Sequence, residues 1–299
     1  MVKKKILVTG GLGYIGSHTS VELIKAGYDV VIIDDLSNSQ LFILNNIEKI
    51  SGSRPTFYQL DMADKEKLVE FFTIEKSIDA VIHFAASKVV GESIQKPLKY
   101  FRNNLSSLIN LLVCMETFGI CNILFSSSAK VYGEPDVLPV KEGNSFQTSM
   151  SAYGSPKIKR KVILEKMSDT DSVSAISLRH FNPVDVHDSS LPGALPIGKS
   201  NNLTPFIAQT ASRIIEKLTL YNNDDNIHDC TCTLDYKAAV EIANAYVKSC
   251  DHLLNVVVKK NYELFNKGTG NGISMIEIME AFEKYNKIKF NYTILYHWK

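Results

Sequence analysis

Apolar residues in the first part of the chain come in short unbroken runs: KILV (5–8), DVVII (29–33), TFYQL (56–60), DAVIHF (79–84), NILFSS (122–127) and SAISL (174–178). The runs are too short for helices and too continuous for strands with one wet face. They read as strands buried on both sides. Between them lie stretches of helical character: Tyr14–Ala26 with Gly27 as its stop, Lys65–Phe72, and a long helix opened by Pro97 and ended after Phe118 by Gly119. A further helix carries Tyr153 and Lys157. Strands alternating with helices predict parallel βαβ units and an α/β fold with a doubly wound parallel sheet of the Rossmann type.

The pattern changes after residue 182. Residues 183–202 hold Pro183, Pro192, Gly193, Pro196 and Gly198 and read as a loop. Helices are expected over Pro205–Lys217, Tyr236–Ser249 and Ser274–Tyr285, with the strand YELFN (262–266) between the last two. A strand-like run lies in the terminal KFNYTILYHWK. The expected organisation is a larger domain over 1–182 and a smaller C-terminal α/β lobe over 183–299.

Composition narrows the function. The chain has 299 residues, 45% hydrophobic and 22% charged, with a net charge of +1. Nothing in that balance points to nucleic acid or to a membrane surface. The cysteines Cys114, Cys121, Cys230, Cys232 and Cys250 form no CxxC pair, so free thiols in a reducing cytoplasm are expected rather than a zinc site or disulfides. The apolar run in MVKKKILVTGG is too short for a signal peptide, and no run approaches the ~18 residues of a membrane span. A cytoplasmic protein without a metal is expected.

After the first strand, TGGLGYIG places Gly10, Gly13 and Gly16 three apart. Gly10 and Gly13 permit a tight turn and the approach of a pyrophosphate to a helix N-terminus, where free N–H groups and the positive end of the dipole favour an anion. Gly16 lets the helix pack close to the strand. Asp34 ends the second strand, where a carboxylate can accept from the adenosine ribose hydroxyls and would repel a 2′-phosphate. Asp35 beside it adds to that repulsion. The cofactor expected is NAD.

The strand NILFSS delivers Ser126, Ser127 and Ser128 to the carboxyl end of the sheet, where such folds bind ligands. Tyr153 and Lys157 are four apart, which on a helix means one face. They are either a catalytic pair or two ordinary helix residues. A phenol near pKa ~10 needs a cation beside it to act as a base at neutral pH, and Lys157 would supply one.

The segments TGGLGYIGSHT, DDLSNS, VIHFAASKVVGESIQKPL, FSSSAKVYGE and LRHFNPV resemble the UDP-glucose 4-epimerase family of extended short-chain dehydrogenases/reductases, from about residue 4 to 285. The resemblance implies NAD-dependent epimerisation at C4 of a UDP-hexose through a 4-keto sugar. It makes Tyr153 the base, Ser128 the group that holds the 4-hydroxyl, and Lys157 the residue that binds the nicotinamide ribose. It adds Tyr14, Ile15, Asn38, Ser39, Asp61, Met62, Phe84, Ala85, Ala86, Lys88, Asn103 and Phe181 to the cofactor contacts. Asn182, Asn202, Leu203 and Tyr221 join the contacts to the UDP-sugar. A homodimer through a four-helix contact is also implied, formed by the helix after Pro97 and the helix of Tyr153.

The departures from the family cluster on the substrate side. Leu234 stands where the family has a phosphate-binding arginine, Cys230 and Cys232 replace glycines, and His180 replaces a tyrosine. Asp185 replaces a glycine and Lys130 a threonine. A further family arginine lies beyond the strand matching KFNYTI and has no counterpart before Lys299, so the smaller lobe is expected to be short at its C-terminus. Pro156 inside the Tyr153–Lys157 step requires a helix that starts late enough to accept it. These changes leave a second reading beside the epimerase: a non-catalytic NAD-binding relative acting as a sensor or partner subunit. A dehydrogenase of another small substrate is a third.

Overall fold

The computed structural model of the chain describes residues 3–86, 97–133, 137–144, 155–170, 172–184, 203–222, 233–255 and 261–296. The elements begin β1 (Lys5–Thr9), α1 (Tyr14–Lys25), β2 (Asp29–Asp34), α2 (Phe42–Ser51), β3 (Thr56–Gln59), α3 (Lys65–Ile74), β4 (Ala80–His83) and α4 (Pro97–Thr117). They continue with β5 (Asn122–Ser128), a single turn of 3-10 helix (Ala129–Tyr132), α5 (Ser155–Asp169), β6 (Ser174–His180), β7 (Asn182–Val184) and α6 (Leu203–Ala211). Last come β8 (Leu218–Asn222), β9 (Thr233–Ala238), α7 (Ala239–Asn255), β10 (Tyr262–Lys267), β11 (Gly272–Ser274), α8 (Met275–Asn286) and β12 (Tyr292–Tyr296).

Seven strands form one sheet in the order β10-β6-β5-β4-β1-β2-β3, parallel throughout. The order reverses between β1 and β4, and that point opens a crevice at the carboxyl ends. Both faces are covered, which is why the strand sequences run apolar without alternation. Ile6 and Val8 of β1 face a cluster with Val21, Leu23, Ile43, Ile47, Ile242 and Tyr246, so α1, α2 and α7 cover that side. Leu7 faces the other way, into a cluster with Leu68, Phe71, Leu108, Met115 and Leu164 from α3, α4 and α5. All three β1 residues are fully buried, and each such side chain contributes about 1.5–3 kcal/mol relative to exposure.

The structure departs from the expected elements in several places. Pro183 and Val184, expected as loop, form strand β7 with Asn182, held by pairing with β9. Helix α2 was not expected, because no side chain caps its start: its first cap is Leu41. Its buried Ile43, Leu44 and Ile47 hold it in place through tertiary packing. Residues 236–238, expected as helix, belong to strand β9, where pairing with β7 and β11 overrides local preference. The helix expected over 205–217 is α6, which ends at Ala211, and Leu218–Asn222 form β8, paired in parallel with β12. Finally, β10 and α7 join the large sheet and its core rather than the smaller lobe. The remaining strands form a three-stranded sheet, β11-β9-β7, and the β12-β8 pair. Around the latter, Ile207, Leu218 and Met279 make a small separate core. Among the described residues no helix is long and apolar enough to cross a membrane, and no group of three or more His, Cys, Asp or Glu side chains could hold a metal ion.

Behind the carboxyl edge sits a buried histidine. His83 Nδ1 lies 2.8 Å from Thr9 Oγ1, tying β4 to β1, while Nε2 has no hydrogen-bond partner among the described residues. The ring stacks against Phe125 at 6.0 Å, and Arg160 of α5 stands over the same phenyl ring. Burial, and then the Arg160 charge, push the imidazole pKa down to about 3. Between that value and the ordinary ~6.5 the unfolded chain binds a proton that the folded chain excludes. Stability from this group is therefore complete above about pH 6.5 and falls by roughly 1.4 kcal/mol per pH unit as acid is added. Urea melts of His83→Asn should show a shallower acid limb than wild type between pH 6 and 5. Parallel stability profiles for the two proteins would rule out His83 as the source.

Candidate active site

The turn after β1 is built by close backbone approach. Gly10 has φ +68°, and a Cβ there would lie 2.9 Å from the Ala85 nitrogen. A Cβ on Gly16 would run into the Gly10 carbonyl and lie 2.9 Å from the Gly11 Cα. Only glycine fits at either position. Gly13 is the N-cap of α1, and no side chain caps the helix there. The N-terminus of α1, with the positive end of its dipole, stands at this turn, as a bound pyrophosphate requires.

Asp34 closes β2 beside this turn and is 7% exposed. Its Oδ2 accepts from Leu12 N–H at 3.0 Å, and its Oδ1 accepts from Leu36 N–H at 3.1 Å and Ser39 Oγ at 2.6 Å. Burial raises its pKa, opposed by those three donors, and the neighbouring Asp35 adds to the rise. Much of its acceptor capacity is spent on the chain itself, so Asp34 holds the β1 and β2 turns together as well as presenting a carboxylate. Asp35 is exposed and accepts from Ser37 N–H and Oγ, and Asn38 lies exposed on the same loop.

The other expected cofactor positions line the same edge. Phe84 is buried, donates its N–H to the Thr9 carbonyl and meets Tyr246 edge to face at 4.7 Å. Ala85 and Ala86 follow it, half-buried. Met62 is buried after β3, and its carbonyl accepts from Asn110 at 3.2 Å. Asp61 and Asn103 share a cavity of about 840 Å³ with Lys65, Leu98 and Arg102. The uncapped helix, the tight Gly10–Ala85 approach and the buried Asp34 together fit a dinucleotide.

On the substrate side, Ser128 ends β5 and pairs in register with His180 of β6. Its Oγ accepts from Lys130 N–H at 3.3 Å. Lys157 is the third residue of α5, and Pro156 is its second, inside the first turn, where a missing N–H breaks no helix bond. Phe181 joins β6 to β7, and Asn182 donates to the Asp235 carbonyl at 3.1 Å. Leu203 opens α6, and Tyr221 lies in β8 opposite Leu295. Leu234 sits half-buried in β9 opposite Ile273 and brings no charge. Lys88, Tyr153, Asp185, Asn202, Cys230 and Cys232 lie outside the described residues.

Two residues not expected from the sequence stand at this edge. Asp235 accepts from Thr269 N–H, Thr269 Oγ1 and Gly270 N–H, fixing the turn after β10. Lys267 ends β10 in register with His180. The sign that could have found Lys267 is its place at the carboxyl end of a strand, which the expected strand 262–266 stopped one residue short of reaching.

The GDP-mannose 4,6 dehydratase family model matches residues 7–293. The UDP-glucose 4-epimerase of Bacillus subtilis (strain 168) is 42% identical over 280 residues, covering 93% of this chain and 81% of its own length. The crystal structure of the Stenotrophomonas maltophila UDP-glucose-4-epimerase with bound NAD and formylated UDP-arabinopyranose superposes with a TM-score of 0.93 at 38% identity, over 99% of this chain and 87% of that one. That of the Bifidobacterium longum UDP-glucose 4-epimerase in complex with NAD+ and UDP gives a TM-score of 0.93 at 37% identity, over 98% and 87%. With this identity and this shared fold over nearly its whole length, the chain belongs to the UDP-glucose 4-epimerase family.

Proposed function

We propose that the chain catalyses NAD-dependent epimerisation at C4 of a UDP-hexose, interconverting UDP-glucose and UDP-galactose. The observation that carries this reading is one carboxyl edge holding both the glycine turn with Asp34 and, two strands from β1, Ser128. Gly10, Gly13 and Asp34 hold the dinucleotide, with Phe84 to Ala86 behind it. NAD held there would supply the acceptor and then the donor of a hydride at C4 of the hexose, which keeps the reaction redox-neutral. Tyr153 removes the proton from the 4-hydroxyl and later gives it back. The Lys157 ammonium favours the tyrosinate, and the Ser128 hydroxyl hydrogen-bonds the reacting oxygen. Asn182, Asn202, Leu203 and Tyr221 contact the UDP-sugar.

One observation favours the second reading, a non-catalytic NAD-binding subunit. Leu234 is aliphatic and half-buried where the family carries an arginine for the diphosphate. The two readings separate on turnover. Purified protein with NAD should convert UDP-galactose to UDP-glucose, followed by chromatography, and Tyr153→Phe should lower kcat by roughly 10²- to 10⁴-fold. NAD binding without turnover in the wild type would overturn the epimerase reading in favour of the subunit.

The buried thiols of Cys114 and Cys250 and the exposed Cys121 suit a reducing cytoplasm. The protein works as a homodimer through α4 and α5. Apolar Leu98, Ile109 and Val113 are exposed along α4, Leu98 at 84%, and Val162 is exposed on α5. Burying such a face against its copy removes apolar area from water. Light scattering on a sizing column should give a dimer for wild type and a monomer for Ile109→Glu. A wild-type monomer would rule the dimer out.

A further inference from the structure

Leu234 leaves the expected diphosphate site without its arginine, yet a lysine stands close by. Ser128, His180 and Lys267 are direct partners across three neighbouring strands: Ser128 pairs with His180, and His180 with Lys267. Directly paired residues of a parallel sheet point to the same face, and along β10 the face repeats every second residue. Glu263, four residues before Lys267, has its Oε1 3.0 Å from His252 of α7. Lys267 therefore points to the α7 side, at the carboxyl edge where ligands of such sheets bind.

Among the described residues Lys267 has no acid as an ion-pair or hydrogen-bond partner, and it is half-buried. Burial, and then the charges of Lys237 of β9 and Lys248 of α7, lower its pKa. Lys237 is itself paired with Glu241. A half-buried cation facing like charges is unfavourable unless an anion arrives. Its backbone is also held still. The turn after it is pinned by Asp235, and a Cβ on Gly268 would lie 2.8 Å from the Phe181 ring. Lys267 thus ends in a fixed wall shared with Phe181 and, through Asp235, with the strand that carries Leu234.

We propose that Lys267 is the cation that binds the diphosphate of the sugar nucleotide. The proposal rests on the epimerase reading above. The spacing is right: two strand separations, about 10 Å, part the Cα atoms of Ser128 and Lys267. With the 4-hydroxyl at Ser128, one pyranose ring and one glycosidic oxygen part it from the diphosphate, a span that the Lys267 side chain can meet. The chemistry suits the reaction as well. An ammonium on a flexible stem grips phosphate as a point charge without the fixed fork of arginine, so it can keep the diphosphate anchored while the hexose turns over.

The test is calorimetric titration of the NAD-loaded protein with UDP and, separately, with uridine. Wild type, Lys267→Met and Lys267→Arg are compared. Lys267→Met should weaken UDP by roughly 10- to 150-fold and leave uridine unchanged, while Lys267→Arg should keep most of the UDP affinity. Unchanged uridine binding also shows that the Met variant is folded. If Lys267→Met binds UDP as wild type does, the lysine merely extends to solvent and the proposal falls. It also falls if Met and Arg weaken UDP and uridine alike, which marks a structural role. A wild type that binds neither UDP nor uridine overturns both this proposal and the epimerase reading. A wild type that binds UDP but fails to turn over UDP-galactose overturns the epimerase reading alone.

Discussion

At the centre of the sheet the chain approaches itself more closely than side chains allow. Gly10 lies against the backbone of Ala85, and Gly16 lies over the Gly10 carbonyl. Those two contacts bring the N-terminus of α1 onto the end of β1 and bring the segment after β4 in beside it. Two polar ties hold the arrangement. Leu12 N–H donates to Asp34 and joins the turn to β2, while Thr9 reaches His83 and the Ala85 N–H and joins it to β4. The crevice at the reversal of strand order is therefore clamped from both flanks before any ligand arrives. A methyl group at either glycine would push α1 and the Ala85 segment apart, and the anion-binding end of the helix with them.

The outer half of the edge is held by different means. β10 enters the sheet from late in the chain and supplies its last strand, so the wall beside β6 belongs to a segment remote in sequence from the nucleotide turn. Asp235 binds the turn after β10, and Asn182 binds the Asp235 carbonyl. The three-stranded sheet is thus tied to the large one by a short chain of hydrogen bonds around a single carboxylate. The outer strands take their geometry from this tie, whereas the turn after β1 depends on glycine backbone and a buried acid.

Much was legible in the sequence, and for a definite reason. A parallel sheet covered on both faces demands unbroken apolar strands, and KILV, DVVII and NILFSS announce themselves as such. The tight turn at Gly10 and Gly16 was legible because close backbone approach admits few other residues, and the acid at the end of β2 was legible from its place after an apolar run. Helix α2 was missed because it lacks a capping side chain and depends on packing. The last three residues of β9 read locally as the start of a helix, because the strand's partners, near residues 182 and 273, are distant in the chain. Lys267 had one local sign, its place at the end of a strand, but nothing in the sequence shows that β10 stands beside β6.

Two kinds of information separate along this line. The α/β class, the glycine turn after β1 and the family could be read from the chain, because periodicity, glycine spacing and short motifs are local properties. That β10 completes the large sheet with α7 packed on its core, and that Ser128, His180 and Lys267 stand in one row, follows only from the folded arrangement. Such a row is a matter of strand register. Register is set by long-range hydrogen bonding and by the packing of α7 against the sheet, and neither leaves a periodic trace in the residues concerned.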